Sequence, residues 1–365
     1  MKKTILLALV SLFGLFCAAQ RIDLDRFYFN ASYRELPRKA LDTSYRTYSV
    51  QVEAGPLTKL ALKEEAIVQE VFIDGWKKLQ DHGHLLINAT LEDVIVEKSE
   101  VQERVEIIKD KNGKQIGTKN HYFMKLTYTY SGRVSVNDYR GNRILSTTLA
   151  TRENKLTYNS PEYDSKLEAQ VYFSYNVIPV TSELSRQVVT NALRGFSNRL
   201  TTDYGFSQRS VRDFMWILDS KKHAEYDEHR RAWLVIKQAF FRMNADEPLD
   251  EIREMLQPAI AYLNKVKKRY PGSSKHDRKL RYASYYNLAK IYYYLDDPES
   301  AMREATELVL NKFDARDGRQ MESWANDLKW IFEQNKLYTR HFAINTDQYA
   351  GPEVSAATRT AGDKK

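Results

Sequence analysis

Residues 282–313 read YASYYNLAKIYYYLDDPESAMREATELVLNKF, and their spacing specifies a helical hairpin. Tyr285, Leu288, Ala289 and Tyr292 fall on one face of a first helix. Asp296-Asp297-Pro298 breaks it, and Ala301, Ala305 and Leu308 carry the period through a second. A pair of this kind leaves apolar surface uncovered, so packed neighbours are expected around it.

The flanking sequence has the same period from 207 to about 342. Val211 to Leu218 opens this region as a helical segment. Glu225 to Met243 follows with Trp233, Ile236 and Phe240, then Leu249 to Tyr270 with Ile252, Leu256, Ile260, Leu263 and Val266. Pro258 is expected to kink or divide the latter. Pro271-Gly272-Ser273-Ser274 ends it, and Met321 to Gln334 carries Trp324, Leu328 and Ile331 as a last helix. Residues 343–365 lack periodicity and read as a disordered tail.

Upstream the pattern changes to β. Arg26 to Tyr33 and Tyr45 to Val52 are rich in aromatic and β-branched residues and read as strands, the second stopped by Gly55-Pro56. Leu57, Leu60, Ile67, Val68, Val71, Phe72, Trp76 and Leu79 recur at helical intervals and predict one long amphipathic helix. From His84 to about Thr151 alternation returns, divided by hairpin signals at Asn112-Gly113 and Arg140-Gly141-Asn142. A polar connection over 154–173 leads to a helix at Thr181 to Leu200, with Thr181 as its cap. Residues 20–206 are therefore expected to form an α+β domain, an antiparallel sheet covered by two helices. An all-α helical-hairpin domain follows over 207–342. The order ββαβββα resembles the small α/β domains of bacterial envelope assembly lipoproteins, a likeness of architecture that no motif carries.

The first residues read as an export signal: Lys2 and Lys3, an apolar run from Ile5 to Phe16, and Cys17-Ala18-Ala19 before Gln20. Residues 1–19 are expected to be removed, leaving a periplasmic or outer-membrane-associated protein. Lipidation of Cys17 is the rival, although Phe16 occupies the place where a lipoprotein signal needs a small residue. Cys17 is the only cysteine, so the mature chain relies on packed cores rather than disulfides. The formal charge of +8 falls to +6 once Lys2 and Lys3 leave with the signal. Basic residues are scattered and answered by acids, as in Asp227-Glu228-His229-Arg230-Arg231, a pattern that does not fit a nucleic-acid binder.

The residue sizes in 282–313 resemble a tetratricopeptide repeat, a helix pair of about 34 residues with fixed large and small positions. Ala289 and Ala301 fall on the small positions, Tyr285 and Tyr292 on the aromatic ones and Leu288 on the aliphatic one. Ala305, Leu308 and Phe313 depart from the pattern. A divergent pair precedes it, with Lys237 on a small position but Ala259, Leu263 and Tyr270-Pro271 at the usual intervals. The resemblance implies a non-enzymatic adaptor whose inner face, Ala283, Tyr286, Lys290, Tyr293 and Tyr294, meets a peptide segment of another envelope protein. The same tyrosines suit packing against the chain itself. The lysine/asparagine pattern that clamps a C-terminal carboxylate in some members is not reproduced.

Chemistry leaves fewer marks. His82 and His84, one residue apart, could share a strand face but lack further ligands. His223 and His229 are expected at the surface, turned about 240° from each other on a helix. No nucleophile, zinc or phosphate-loop motif occurs, so no catalytic residue, cofactor or metal is assigned. Two other readings stay open: a binder of an anionic envelope polymer or lipid through the α+β domain, and a hydrolase whose carboxylates are distant in sequence.

Overall fold

A computed structural model describes residues 22–39 and 41–352. The signal, Gln20, Cys17 and the last part of the tail lie outside the described residues. The chain is mixed α/β, with sheets in its N-terminal half and helices in its C-terminal half.

The first strand is β1 (Leu24–Arg34). After it come β2 (Thr47–Ala54), α1 (Pro56–Ala61), α2 (Glu64–Gln69), β3 (Lys77–Leu79) and β4 (Leu85–Leu91). β5 (Ile95–Lys109) and β6 (Gln115–Thr129) form a long hairpin, β7 (Gly132–Asp138) and β8 (Arg143–Ala150) a shorter one, and β9 (Leu156–Asn159) precedes α3 (Lys166–Tyr204). The last strand is β10 (Gln208–Leu218). Five helices remain among the described residues: α4 (Tyr226–Arg242), α5 (Asp250–Arg269), α6 (Lys275–Tyr294), α7 (Pro298–Leu310) and α8 (Ala315–Asn335).

These elements divide into two compact units, one of residues 22–39 with 206–344, the other of 41–205 with 345–352. In the helical unit, β1 and β10 make an antiparallel two-stranded ribbon, from Leu24 opposite Leu218 to Arg34 opposite Gln208. This corrects two expectations. β1 does not join the sheet that follows it in sequence, and 211–218 is a strand rather than a helix. One core joins Phe29, Ala31, Met215 and Ile217 of the ribbon to Trp233, Ile236 and Phe240 of α4 and to Leu256, Leu263, Leu288 and Ile291 of α5 and α6. α5 runs unbroken through Pro258. α7 and α8 come very close where a Cβ on Gly318 would lie 2.6 Å from Val309 Cγ2 and 2.9 Å from the Ala305 carbonyl oxygen, so a larger residue there pushes the helices apart.

The sheet unit holds a five-stranded sheet, ordered β3-β2-β4-β7-β8, and a three-stranded sheet, β5-β6-β9. The first is mixed rather than antiparallel, because β2 runs parallel to both β3 and β4. The single helix expected over Leu57 to Leu79 is absent: Leu62 and Lys63 are extended, and Gly75 takes a left-handed φ of 78°. Ile67 on α2, and Val71 and Trp76 in the connection between α2 and β3, are buried all the same. Both hairpin signals are borne out, with Gly113 and Gly141 at positive φ as tight turns require.

α3 begins well before Thr181. Ser165 accepts from the Glu168 amide and the Glu168 carboxylate accepts from the Ser165 amide, a complete capping box. The helix continues through Pro179, and the Thr181 hydroxyl donates to the Val177 carbonyl instead of capping. Of the expected tail, residues 345–352 are structured: Thr346–Gln348 form a 3-10 turn, and Lys77 Nζ donates to the Asp347 carbonyl at 2.9 Å.

Candidate functional site

Ser274 caps α6 by accepting from the Asp277 amide, and Asp297 caps α7 by accepting from the Ser300 amide, so the hairpin is fixed at both helix starts. Between them Asp296 adopts φ 57°. Ala289, Ala301 and Ala305 are buried, and their small size lets the pair pack closely.

The face of α6 expected to meet a partner is covered by the chain's own ribbon. Ala283, Tyr286, Lys290 and Tyr294 are buried and Tyr293 is half-buried. Lys290 is only 2% exposed. Its Nζ donates to the Asp213 carboxylate and, at 2.8 Å, to the Phe214 carbonyl, and lies 4.4 Å from the centre of the Phe214 ring. The Tyr294 hydroxyl donates to the other Asp213 oxygen at 2.8 Å. Tyr286 stacks on Phe214. The Tyr293 ring lies 4.7 Å from the Arg340 guanidinium carbon. Burial pulls the Lys290 ammonium below its ordinary range, and Asp213 opposes that.

Asn287, which the sequence did not single out, makes the most directed contact. Its Oδ1 accepts from the Trp216 amide at 2.9 Å while its Nδ2 donates to the Trp216 carbonyl at 2.8 Å. One side-chain amide thus satisfies both backbone groups of a strand residue, which is how a helix recognises extended chain irrespective of sequence. Trp216 Nε1 also donates to the Tyr282 hydroxyl at 3.0 Å. The groove chemistry is that of a strand-holding face, and the strand held is β10. Nothing at 211–218 marked this in advance, because eight residues are too few to separate a period of two from one of 3.6.

No protein-family model matches the sequence, and no curated protein matches it. The tetratricopeptide-like reading therefore rests on residue spacing in this chain.

The histidines divide. His84 is buried, its Nδ1 2.7 Å from the Thr47 hydroxyl, whereas His82 is exposed at φ 55°, so the two do not converge. His229 is buried, not at the surface as expected. Its Nε2 donates to the Trp216 carbonyl at 3.3 Å, and burial lowers its pKa to about 4. Against an ordinary value near 6.5, the unfolded chain binds the extra proton first as pH falls. The neutral-histidine contribution is thus complete above about pH 6.5 and is lost as pH drops towards 4. We expect about 2 kcal/mol of stability to be lost from this group between pH 7 and 4.5. Urea melts of His229→Gln should show that much less acid sensitivity than wild type; identical pH slopes would refute the assignment.

Buried carboxylates are neutralised in place. Glu225, wholly buried, is pushed up by burial, but Arg269, Tyr270 and Tyr262 donate to it and hold it below its usual range. Among the described residues, no group of three or more His, Asp or Glu is placed to hold a metal, and no helix is long and apolar enough to cross a membrane.

Among the described residues, the longest run without a charged side chain is on α3. Residues 169–182 carry no charge, and Leu167, Val171, Tyr175 and Ile178, spaced by four, four and three, form a stripe between 44% and 83% exposed.

Proposed function

We propose that the chain is an exported, non-enzymatic adaptor of the cell envelope that binds another envelope protein. It is periplasmic or outer-membrane-associated after cleavage before Gln20, or anchored at Cys17. In this reading an α+β domain accompanies a short tetratricopeptide-like module. The inner face of that module, with Tyr286, Lys290 and Tyr294, is committed to the chain's own strand.

The observation that carries the proposal is the α3 stripe. A solvated helix face usually alternates charges. One that is apolar, tyrosine-bearing and charge-free over several turns has the composition of an interface core. A photo-crosslinking amino acid at position 175 should trap one envelope protein, identified by mass spectrometry. Val171→Glu, which leaves the buried residues of α3 in place, should weaken capture at least about tenfold. Diffuse adducts, unchanged in Val171→Glu, would sink the proposal.

A second reading, contact with an anionic envelope lipid or polymer, is supported by the β5–β6 turn. Lys109, Lys111 and Lys114 surround it.

A further inference from the structure

The core takes one face of the β1–β10 ribbon, through Phe29, Ala31, Met215 and Ile217. Strand alternation and the register set Arg26, Tyr28 and Asn30 opposite Trp216, Phe214 and Arg212 on the other. Arg26, Asn30 and Arg212 are exposed, Tyr28 is 46% exposed, and Phe214 and Trp216 are half-buried, so this face is open to solvent. Both aspartates of the ribbon, Asp25 and Asp213, alternate to the core side, and Lys290 and the Tyr294 hydroxyl already occupy Asp213. On α8, Asp317 accepts from the Tyr282 hydroxyl.

Arg26 and Arg212 lean towards the middle of the open face from opposite strands. The Arg26 guanidinium carbon lies 4.7 Å from the centre of the Phe214 ring and 5.6 Å from that of Trp216, and the Arg212 carbon lies 4.5 Å from the centre of Tyr28. The Tyr28 and Phe214 rings are themselves 6.1 Å apart. A guanidinium held over a ring is positioned before any ligand arrives, and its N–H fork stays free for a carboxylate. Neither arginine makes an ion pair among the described residues, whereas Arg209, on the same strand but the other face, pairs with Glu35. The Asn30 side-chain amide, beside them, has no hydrogen-bond partner among the described residues either. Two positioned cations without a counter-charge complement an anionic partner.

We propose that this ribbon face binds an extended acidic segment of a partner protein, its carboxylates at alternate positions. Alternate side chains of an extended chain point to one side about 7 Å apart, close to the spacing of the two rings that carry the guanidiniums. Asn30 can offer the backbone of such a segment the donor and acceptor that Asn287 offers Trp216. The site belongs to the helical unit, so it goes beyond the α3 contact and stands without it.

The test passes the full chain over immobilised peptides in a surface plasmon resonance cell. Thr-Thr-Glu-Val-Glu-Thr-Thr should retain it, and the same peptide with glutamine for glutamate should not. Thr-Thr-Glu-Glu-Val-Thr-Thr has equal charge but sets its carboxylates on opposite sides of an extended chain, and it should bind about fivefold more weakly. Arg26→Gln/Arg212→Gln should weaken retention on the first peptide about tenfold. Arg26→Lys/Arg212→Lys keeps the charge but not the fork, and should restore only part of the loss. Equal retention by the two acidic peptides would reduce the effect to general charge attraction and overturn the proposal. Undiminished binding by the glutamine variant overturns the site, and failure of the wild type to bind overturns the acidic segment as ligand. Phosphatidylglycerol vesicles binding wild type but not the glutamine variant, with the peptides silent, would reassign the face to lipid. Specific capture at position 175 without peptide binding overturns this site and leaves the adaptor reading; peptide binding without that capture does the reverse.

Discussion

Asp296→Asn is expected to destabilise the helical unit by about 3–5 kcal/mol, the loss typical when one member of a buried ion pair is removed. The Asp296 side chain is fully buried and that of Arg340 is 5% exposed, with Nε 2.7 Å from Oδ1. Oδ2 accepts from the Thr339 hydroxyl at 2.9 Å and from the Arg340 amide. Arg340 aims both its Nε–H and its backbone N–H at this carboxylate, so an asparagine, with one carbonyl oxygen in place of two charged ones, satisfies only part of that set. Shape is otherwise conserved, and asparagine tolerates the left-handed backbone at this position, so the loss reports charge and hydrogen bonding rather than strain. Arg340, held over Tyr33 at 4.3 Å and donating to the Tyr293 carbonyl, would stay buried without a counter-charge. A fall of about 10 °C in the melting temperature, followed by tryptophan fluorescence, is the expected readout. A change under about 2 °C would show that the pair is dispensable.

Lys290→Met should cost about 3 kcal/mol, because methionine keeps the apolar stem but leaves Asp213, 18% exposed, facing aromatic rings with no cation and only the Tyr294 hydroxyl and the Phe214 amide to answer it. Asp213→Asn should cost less. Burial already lowers the Lys290 pKa, so the stranded amine has a route to neutrality. The double variant should recover at least about 1 kcal/mol relative to additivity, the mark of a direct pair. Urea melts of the four proteins measure this, and strict additivity would contradict the Lys290–Asp213 contact. Because the pair fastens β10 to α6, the single variants should also speed proteolysis near 208–218.

The hairpin at 282–313 was legible because its breaker, its capping aspartate and its alanines each act within a few residues. The Asn112-Gly113 and Arg140-Gly141-Asn142 turns were legible for the same reason. The partner of β1 was not, because no local pattern says that Leu24–Arg34 pairs across the whole sheet unit with Gln208–Leu218. That one pairing decided the candidate site as well. The tyrosine face of α6 suggested a surface for a peptide segment of a partner or for packing against the chain itself, and β10 lies against it. Asn287, a lone polar residue between Tyr286 and Leu288, carried no signal until the Trp216 backbone lay against it. The helix read over Leu57 to Leu79 failed differently: its apolar spacing was real, but Lys63 and Gly75 interrupt the backbone that would have joined it.

The ribbon also sets a timetable. Synthesis runs from the N-terminus, so β1 is made first, yet Asp23 and its hydrogen-bond partner Ser220 are 197 positions apart. Residues 41–205, which carry every strand of the two other sheets, emerge before β1 has anything to pair with. Throughout that interval an aromatic strand waits with both edges open, a form prone to pairing with other chains. The earliest of the described strands is thus among the last to find its partner.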